Sequence, residues 1–152
     1  AADRRYSARV SLTPGQSFDR YTIEGPLGEG GMGEVYQALD TKLRRRVALK
    51  LLQAEALAEP SRGEERRARL LREARAAARI EHPNAVAIYD VGEFEGRPYI
   101  AMELVEGRTM RAAVGDGAIP LEQRLQWLVD VARALAAAHK NGLVHRDIKP
   151  EN

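Results

Sequence analysis

His145-Arg146-Asp147-Ile148-Lys149-Pro150-Glu151-Asn152 is the stretch whose reading decides the rest of this chain. An aspartate, a lysine two places on and an asparagine three further on suit one chemical task. Asp147 can accept a proton from an attacking hydroxyl. Lys149 can neutralise charge on a phosphoryl group in flight. Asn152 can offer an amide oxygen to Mg²⁺. The plain alternative is a solvated polar loop that follows a helix.

Composition narrows what surrounds this octet. The chain has 152 residues, 44% hydrophobic and 30% charged, a globular balance and the length of one ordinary domain. Twenty-four Lys and Arg against 22 Asp and Glu leave a net charge of only +2. Arg44-Arg45-Arg46 and Arg66-Arg67 therefore read as a solvated strand end and a solvated helix face, and no nucleic-acid partner is expected. No cysteine is present, which excludes disulfides and thiolate zinc sites. His82, His139 and His145 lack metal-ligand spacing. No apolar run reaches membrane-spanning length, no secretory signal is visible and there is no internal repeat.

Read in order, residues 1–19 are polar and small, with Pro14-Gly15 as a turn signal, and are expected to be a flexible leader. Regular structure is expected to start near Arg20. Tyr21, Ile23 and Leu27 alternate with polar or small residues, the period of a strand. Gly28, Gly30 and Gly33 then form G-x-G-x-x-G. Dinucleotide-binding folds share that pattern, but there it leads into a helix. Here Glu34-Val35-Tyr36 favours a second strand. The glycines therefore lie on a hairpin, where backbone N–H groups can approach phosphate oxygens; a plain glycine-rich hairpin is the alternative. Asp40 to Arg46 is a polar turn. Val47-Ala48-Leu49-Lys50-Leu51-Leu52 is a third strand, interrupted by a lysine. On an edge strand Lys50 is simply exposed; on a central one it needs an anion or a carboxylate.

A helix is expected from Glu65 to Ile80, with Ser61 and Glu64 at capping-box spacing. Glu73 lies beside the apolar stripe of Leu70, Ala74 and Ala77. It is either the partner of Lys50 or half of an i,i+4 pair with Arg69, and the first reading is preferred. His82-Pro83 ends the helix, with His82 a structural histidine. Strands over Ala85–Val91 and Pro98–Val105, joined at Glu95-Gly96, complete a five-stranded unit. Thr109 to Val114 suggests a short helix. A long one opens at Pro120 and stops at Asn141-Gly142. Its two apolar stripes, one through Leu121, Leu125 and Leu128, the other through Trp127 and Val131, expect cover on two sides.

Together these motifs resemble the N-terminal part of a bacterial, eukaryotic-like (Hanks-type) protein serine/threonine kinase. The resemblance runs from Arg20 to Asn152, with Leu27 to Val35, Val47 to Lys50, Glu73, Glu103 to Val105 and His145 to Asn152 in the family's order. It implies an α+β protein-kinase-like fold. Residues 20–105 are the N-lobe, a five-stranded antiparallel sheet with one main helix. Residues 106–152 are a partial helical C-lobe that ends in the catalytic loop. It also implies ATP and Mg²⁺ as cofactors and a protein substrate with a Ser or Thr acceptor.

The site residues follow from the same resemblance. Leu27, Val35 and Ala48 roof the adenine, the Glu103 carbonyl and the Val105 N–H bond it, and Met102 sits behind it. The loop of Gly28, Glu29, Gly30, Gly31, Met32, Gly33 and Glu34 covers the phosphates. Lys50, oriented by Glu73, holds the α- and β-phosphates. Asp147 orients and deprotonates the hydroxyl, Lys149 stabilises the γ-phosphate and Asn152 ligates Mg²⁺.

The family's D-F-G segment, activation loop and A-P-E segment are not in this sequence. The 152 residues alone are accordingly expected to be an inactive kinase fragment; a non-catalytic module that binds nucleotide or a partner is the alternative. Leaving half of the long helix's apolar side chains bare forfeits on the order of 5 kcal/mol, so self-association through that helix is expected. Because ATP is there, the expected location is the cytoplasm. Related bacterial kinases often carry a membrane helix after the kinase domain.

Overall fold

A computed structural model describes residues 11–30, 33–52 and 60–151 of the chain, without the side chains of residues 29, 30, 60–63 and 66. Among the described residues six strands form one antiparallel sheet. They are β1 (Ser17–Phe18), β2 (Tyr21–Gly30), β3 (Gly33–Asp40), β4 (Arg45–Leu52), β5 (Ile88–Phe94) and β6 (Arg97–Glu103), in the spatial order β1-β2-β3-β4-β6-β5. The helices are α1 (Pro60–Ala77), α2 (Met110–Ala113) and α3 (Leu121–Lys140).

Alternation along the strands sorts side chains onto two faces. Tyr36, Ala38, Val47, Leu49, Leu51, Tyr99 and Ala101 are buried on one face. Their register pairs (Tyr36 with Leu49, Ala38 with Val47, Leu51 with Tyr99) show that they share it. The other face carries Val35, Ala48, Lys50, Ile100 and Met102. Strand β4 lies between β3 and β6, so Lys50 stands on a central strand and not on an edge. The turn between β5 and β6 has Glu95 and Gly96 at φ 51° and 74°, the doubly left-handed geometry that matches hairpin twist.

Two expectations need correction. The sheet has a sixth strand, and within residues 11–19, expected to be loose, Leu12 and Phe18 are packed. Leu12 is 6% exposed and Phe18 3%, and both belong to the core. The Leu12 N–H donates to the Tyr36 hydroxyl at 3.0 Å. Gly15 and Gln16 exchange backbone hydrogen bonds with Ile23. Phe18 meets Phe94 and Tyr99 edge-on, at ring-centroid distances of 5.0 and 5.7 Å. Two apolar side chains set among polar residues suffice, because each fills a place that the sheet cannot fill itself.

The far end of the sheet is fixed by polar groups. Asp40, 1% exposed, accepts the N–H groups of Lys42 and Leu43 and lies 3.2 Å from the Arg20 guanidinium. Arg20 also reaches Asp90 at 3.2 Å. Asp90 accepts the hydroxyls of Tyr21 and Tyr99, and Asp19 accepts Tyr99 as well. Burial and these carboxylates push both phenols far above their usual range.

Helix α1 starts at Pro60, five residues before the expected Glu65, and ends at Ala77. The proposed capping box rests on Ser61, whose side chain lies outside the described set. Ala74 is the buried residue of this helix's described part, and Leu70 is 37% exposed. An Arg67–Glu93 ion pair at 3.4 Å ties the helix to β5. Helix α3 follows the expected bounds, with Pro120 as N-cap rather than inside the first turn, and Gly142 at φ 72° after its end. None of its residues is buried, and Leu121, Leu125 and Leu128 are 70, 52 and 55% exposed. No helix among the described residues is long and apolar enough to cross a membrane.

Leu12→Ala is expected to cost about 2–5 kcal/mol, as for a core leucine. Chemical denaturation checks this: a loss under 0.5 kcal/mol, the ordinary surface value, would mean that the segment is not part of the core.

Candidate active site

The glycine hairpin is built from the ends of β2 and β3. Gly28 pairs with Val35 and Gly30 with Gly33, and register shifts fall at Glu24 and Leu27. Gly33 has φ 134°, and a Cβ there would sit 1.9 Å from the Leu51 carbonyl oxygen. Only glycine lets β3 lie this close to β4. A Cβ on Gly28 meets nothing within 4 Å, so the cleft above that limb is open.

Across the sheet, Gly28, Val35, Lys50 and Ile100 form one row, and Gln37, Ala48 and Met102 the next. Val35, Ala48, Met102 and Lys50 thus share a face. Leu27 is 48% exposed at the irregular turn of β2. Glu34 departs from the expected arrangement, because its side chain points to the core face, opposite Leu51. Gly31, Met32 and Asn152 lie outside the described residues, and nothing is known here of the Glu29 side chain.

At the end of β6 the Glu103 N–H donates to the Ala87 carbonyl at 2.8 Å. Val105 follows, 63% exposed, and its N–H has no partner among the described residues. That donor is available to a ligand. The chain then enters α2, whose N-cap Thr109 accepts the Ala112 N–H. Helix α2 holds the loop of residues 145–151 in turn. The Arg111 N–H donates to the Pro150 carbonyl at 2.8 Å, and its side chain pairs with Glu151 at 2.6 Å.

Within the octet Arg146 has φ 64°, left-handed and uncommon for a residue with a Cβ. This kink brings the Asp147 N–H to 3.3 Å from His145 Nδ1. Lys149 Nζ lies 2.9 Å from Asp147 Oδ2. The two chemical groups of the octet are therefore neighbours on one face of the loop.

Lys50 joins them from the sheet. Burial pushes its ammonium below the usual value of 10.5; the field of Asp147 opposes that shift and the field of Lys149 adds to it. The charges of Asp147 and Lys149 thus act on the lysine of β4. Lys50 makes no direct ion pair among the described residues. A desolvated cation without a contact partner is a site for an anion.

Glu73 is not that partner in this structure. Its carboxylate binds Arg69 at 2.9 Å, four residues back, and is 50% exposed. The physical reason is local: the i,i+4 guanidinium is always within reach, and α1 buries too little to turn Glu73 inward. Among the described residues no three His, Asp or Glu side chains converge to hold a metal. Asp147 is the carboxylate present at the cleft, which fits Mg²⁺ only as one ligand among phosphates and waters.

A hairpin of glycines beside open space, a partly buried lysine on the central strand and an Asp–Lys pair on the 145–151 loop make up the candidate site. The comparisons agree. Residues 21–152 match the model of the protein kinase domain. The chain is 44% identical over 145 residues to the serine/threonine-protein kinase PknB of Mycobacterium leprae, covering 92% of this chain and 23% of that protein. It is 45% identical over 141 residues to PknJ of Mycobacterium tuberculosis, covering 93% and 23%. The crystal structure of the M. tuberculosis PknI kinase domain superposes with a TM-score of 0.79 at 36% identity, over 93% of this chain and 56% of that one. The chain belongs to the protein kinase family, in its bacterial serine/threonine branch. It spans about a quarter of the length of its curated relatives, and the family generally uses ATP and Mg²⁺.

The Lys50 shift has a consequence for ligand binding. A lysine with a lowered pKa is a cost to the fold at neutral pH, relieved as pH rises from that lowered value through 10.5. A phosphate favours the charged form and pulls the pKa back up. Nucleotide binding on the alkaline side should therefore take up protons, and affinity should fall as pH rises through the lowered pKa. The full loss is roughly 10- to 100-fold, the worth of a charge-assisted hydrogen bond. Titration of a fluorescent ATP analogue from pH 7 to 10, with Lys50→Met as the pH-insensitive control, measures it. An identical slope in both proteins contradicts the assignment.

Proposed function

We propose that this chain carries the nucleotide cleft and the catalytic loop of an ATP-dependent protein serine/threonine kinase. The supporting observation is the Asp147–Lys149 pair at 2.9 Å on the 145–151 loop together with Lys50 on the central strand β4, where burial pushes its ammonium down and the field of Asp147 raises it.

The residues act as follows in this reading. Val35, Ala48 and Met102 enclose the adenine, and the Val105 N–H donates to it. Backbone N–H groups of the glycine hairpin cover the phosphates. Lys50 holds the inner phosphates as a fixed positive charge. Asp147 orients the Ser or Thr hydroxyl of a protein substrate and takes its proton. Lys149, already 2.9 Å from Asp147, is placed to follow charge onto the transferred group. When bound, Mg²⁺ neutralises phosphate charge; Asp147 faces that region, and Asn152 is the proposed ligand. Positioning and charge do most of the work in such transfers. The protein acts in the cytoplasm, where ATP is.

One observation favours a second state of the same site. With Glu73 on Arg69, Lys50 is unbraced, so the arrangement seen here binds nucleotide without holding it for transfer. Transfer requires α1 to exchange the Arg69 partner of Glu73 for Lys50.

The test uses the protein that carries this chain, radiolabelled ATP and a protein rich in serine and threonine. Label is expected on Ser and Thr alone, and Asp147→Asn should slow transfer by roughly 10²–10⁴-fold, the range for a general base. Equal transfer by the variant, or nucleotide binding with no transfer to any acceptor, overturns the kinase reading; the latter result selects a nucleotide-binding module instead.

A further inference from the structure

Glu34 follows the last glycine of the hairpin, yet it faces away from the nucleotide. Its side chain is 13% exposed and points to the core face. Three groups converge on the carboxylate. The Tyr36 hydroxyl donates to Oε2 at 2.8 Å. The Ser11 hydroxyl donates to Oε1 at 3.1 Å. The Arg97 guanidinium lies 3.7 Å from Oε2. The Tyr36 hydroxyl is itself held, since it accepts the Leu12 N–H at 3.0 Å. Burial, with Glu34 alongside, pushes that phenol up.

Two of these four contributors, Ser11 and Leu12, precede the first strand. Arg97 sits over the Phe18 ring at 6.0 Å, so β1 supports it too. A carboxylate with hydrogen bonds from neighbours this close is a fixed point, because each charge-assisted bond is stronger than a neutral one. That fixed point lies one residue from Gly33, where β3 already touches the Leu51 carbonyl.

We propose that Glu34 is a positioning residue, through which the segment 11–18 sets the placement of the glycine hairpin over the phosphates. The hairpin limbs have open cleft on one side, so their position depends on what grips them from behind. The segment that precedes the sheet is then a handle on nucleotide affinity: whatever withdraws Ser11 and Leu12 loosens the phosphate cover without touching the cleft. The second half of this inference rests on the kinase reading; the first does not.

The experiment measures amide hydrogen exchange of the 152-residue chain, unsubstituted and as Ser11→Ala, Glu34→Gln and the double variant. Exchange at residues 27–30 and 33–36 should rise roughly five- to tenfold in Glu34→Gln, while β5 and β6 stay protected. Ser11→Ala should speed the same amides in the unsubstituted background and add nothing in the Glu34→Gln background. That non-additivity separates coupling through Glu34 from a general structural role. If Glu34→Gln does not fold, Ser11→Ala, on an exposed residue, carries the test alone by its confinement to the hairpin. Unchanged hairpin exchange, or a rise spread equally over the sheet, overturns the proposal. A fluorescent ATP analogue supplies a second arm, in which Glu34→Gln should weaken binding. If the hairpin responds but the protein that carries this chain binds no nucleotide, the coupling stands and the kinase reading fails. If nucleotide binds equally well to both, the proposed control of affinity is refuted.

Discussion

A lysine ammonium withdrawn from water on the central strand of a sheet is the constraint around which this structure is arranged. A partly buried cation is favoured where something restores the hydration it has lost. Here a carboxylate from the opposite lobe supplies part of it, and the open cleft leaves room for a phosphate to supply the rest. Desolvation outweighs the field of Asp147, so the site is under-neutralised in the absence of ligand.

The remainder of the fold serves to hold that ammonium in place. Strand β4 is central because β3 and β6 flank it, and its alternate residues Val47, Leu49 and Leu51 are fully buried on the other face. The lysine is therefore fixed by its neighbours' burial. On the opposite side, Arg146 in a left-handed conformation and Arg111 of α2 give the catalytic loop its shape.

Much of this was legible in the sequence. The strand period, the glycine spacing and the interrupting lysine identify the hairpin and β4. The Glu95-Gly96 and Asn141-Gly142 signals place two turns where the structure has them. The parts that were not legible share one physical cause: they depend on partners distant in the chain. Leu12 and Phe18 look unremarkable among polar residues, but they complete a core assembled from β2, β3, β4 and β6. Helical spacing permits Glu73 either of two partners; the loose packing of α1 decides for Arg69. Glu34 reads as part of a phosphate loop, and strand alternation turns its side chain to the far face, where Ser11 and Arg97 wait. The exposed leucines of α3 were foreseen from its two stripes, because a pattern of apolar residues shows how much cover a helix expects.

The central claim is that Lys50 and Asp147 sense one another across the cleft. Its most direct test is an NMR titration of the Lys50 side-chain nitrogen, in the unsubstituted chain and in Asp147→Asn. Asp147 holds the lysine pKa up against burial, so removing its charge should lower that pKa further. An unaltered titration of Lys50 in the variant would show that the two lobes do not meet as described.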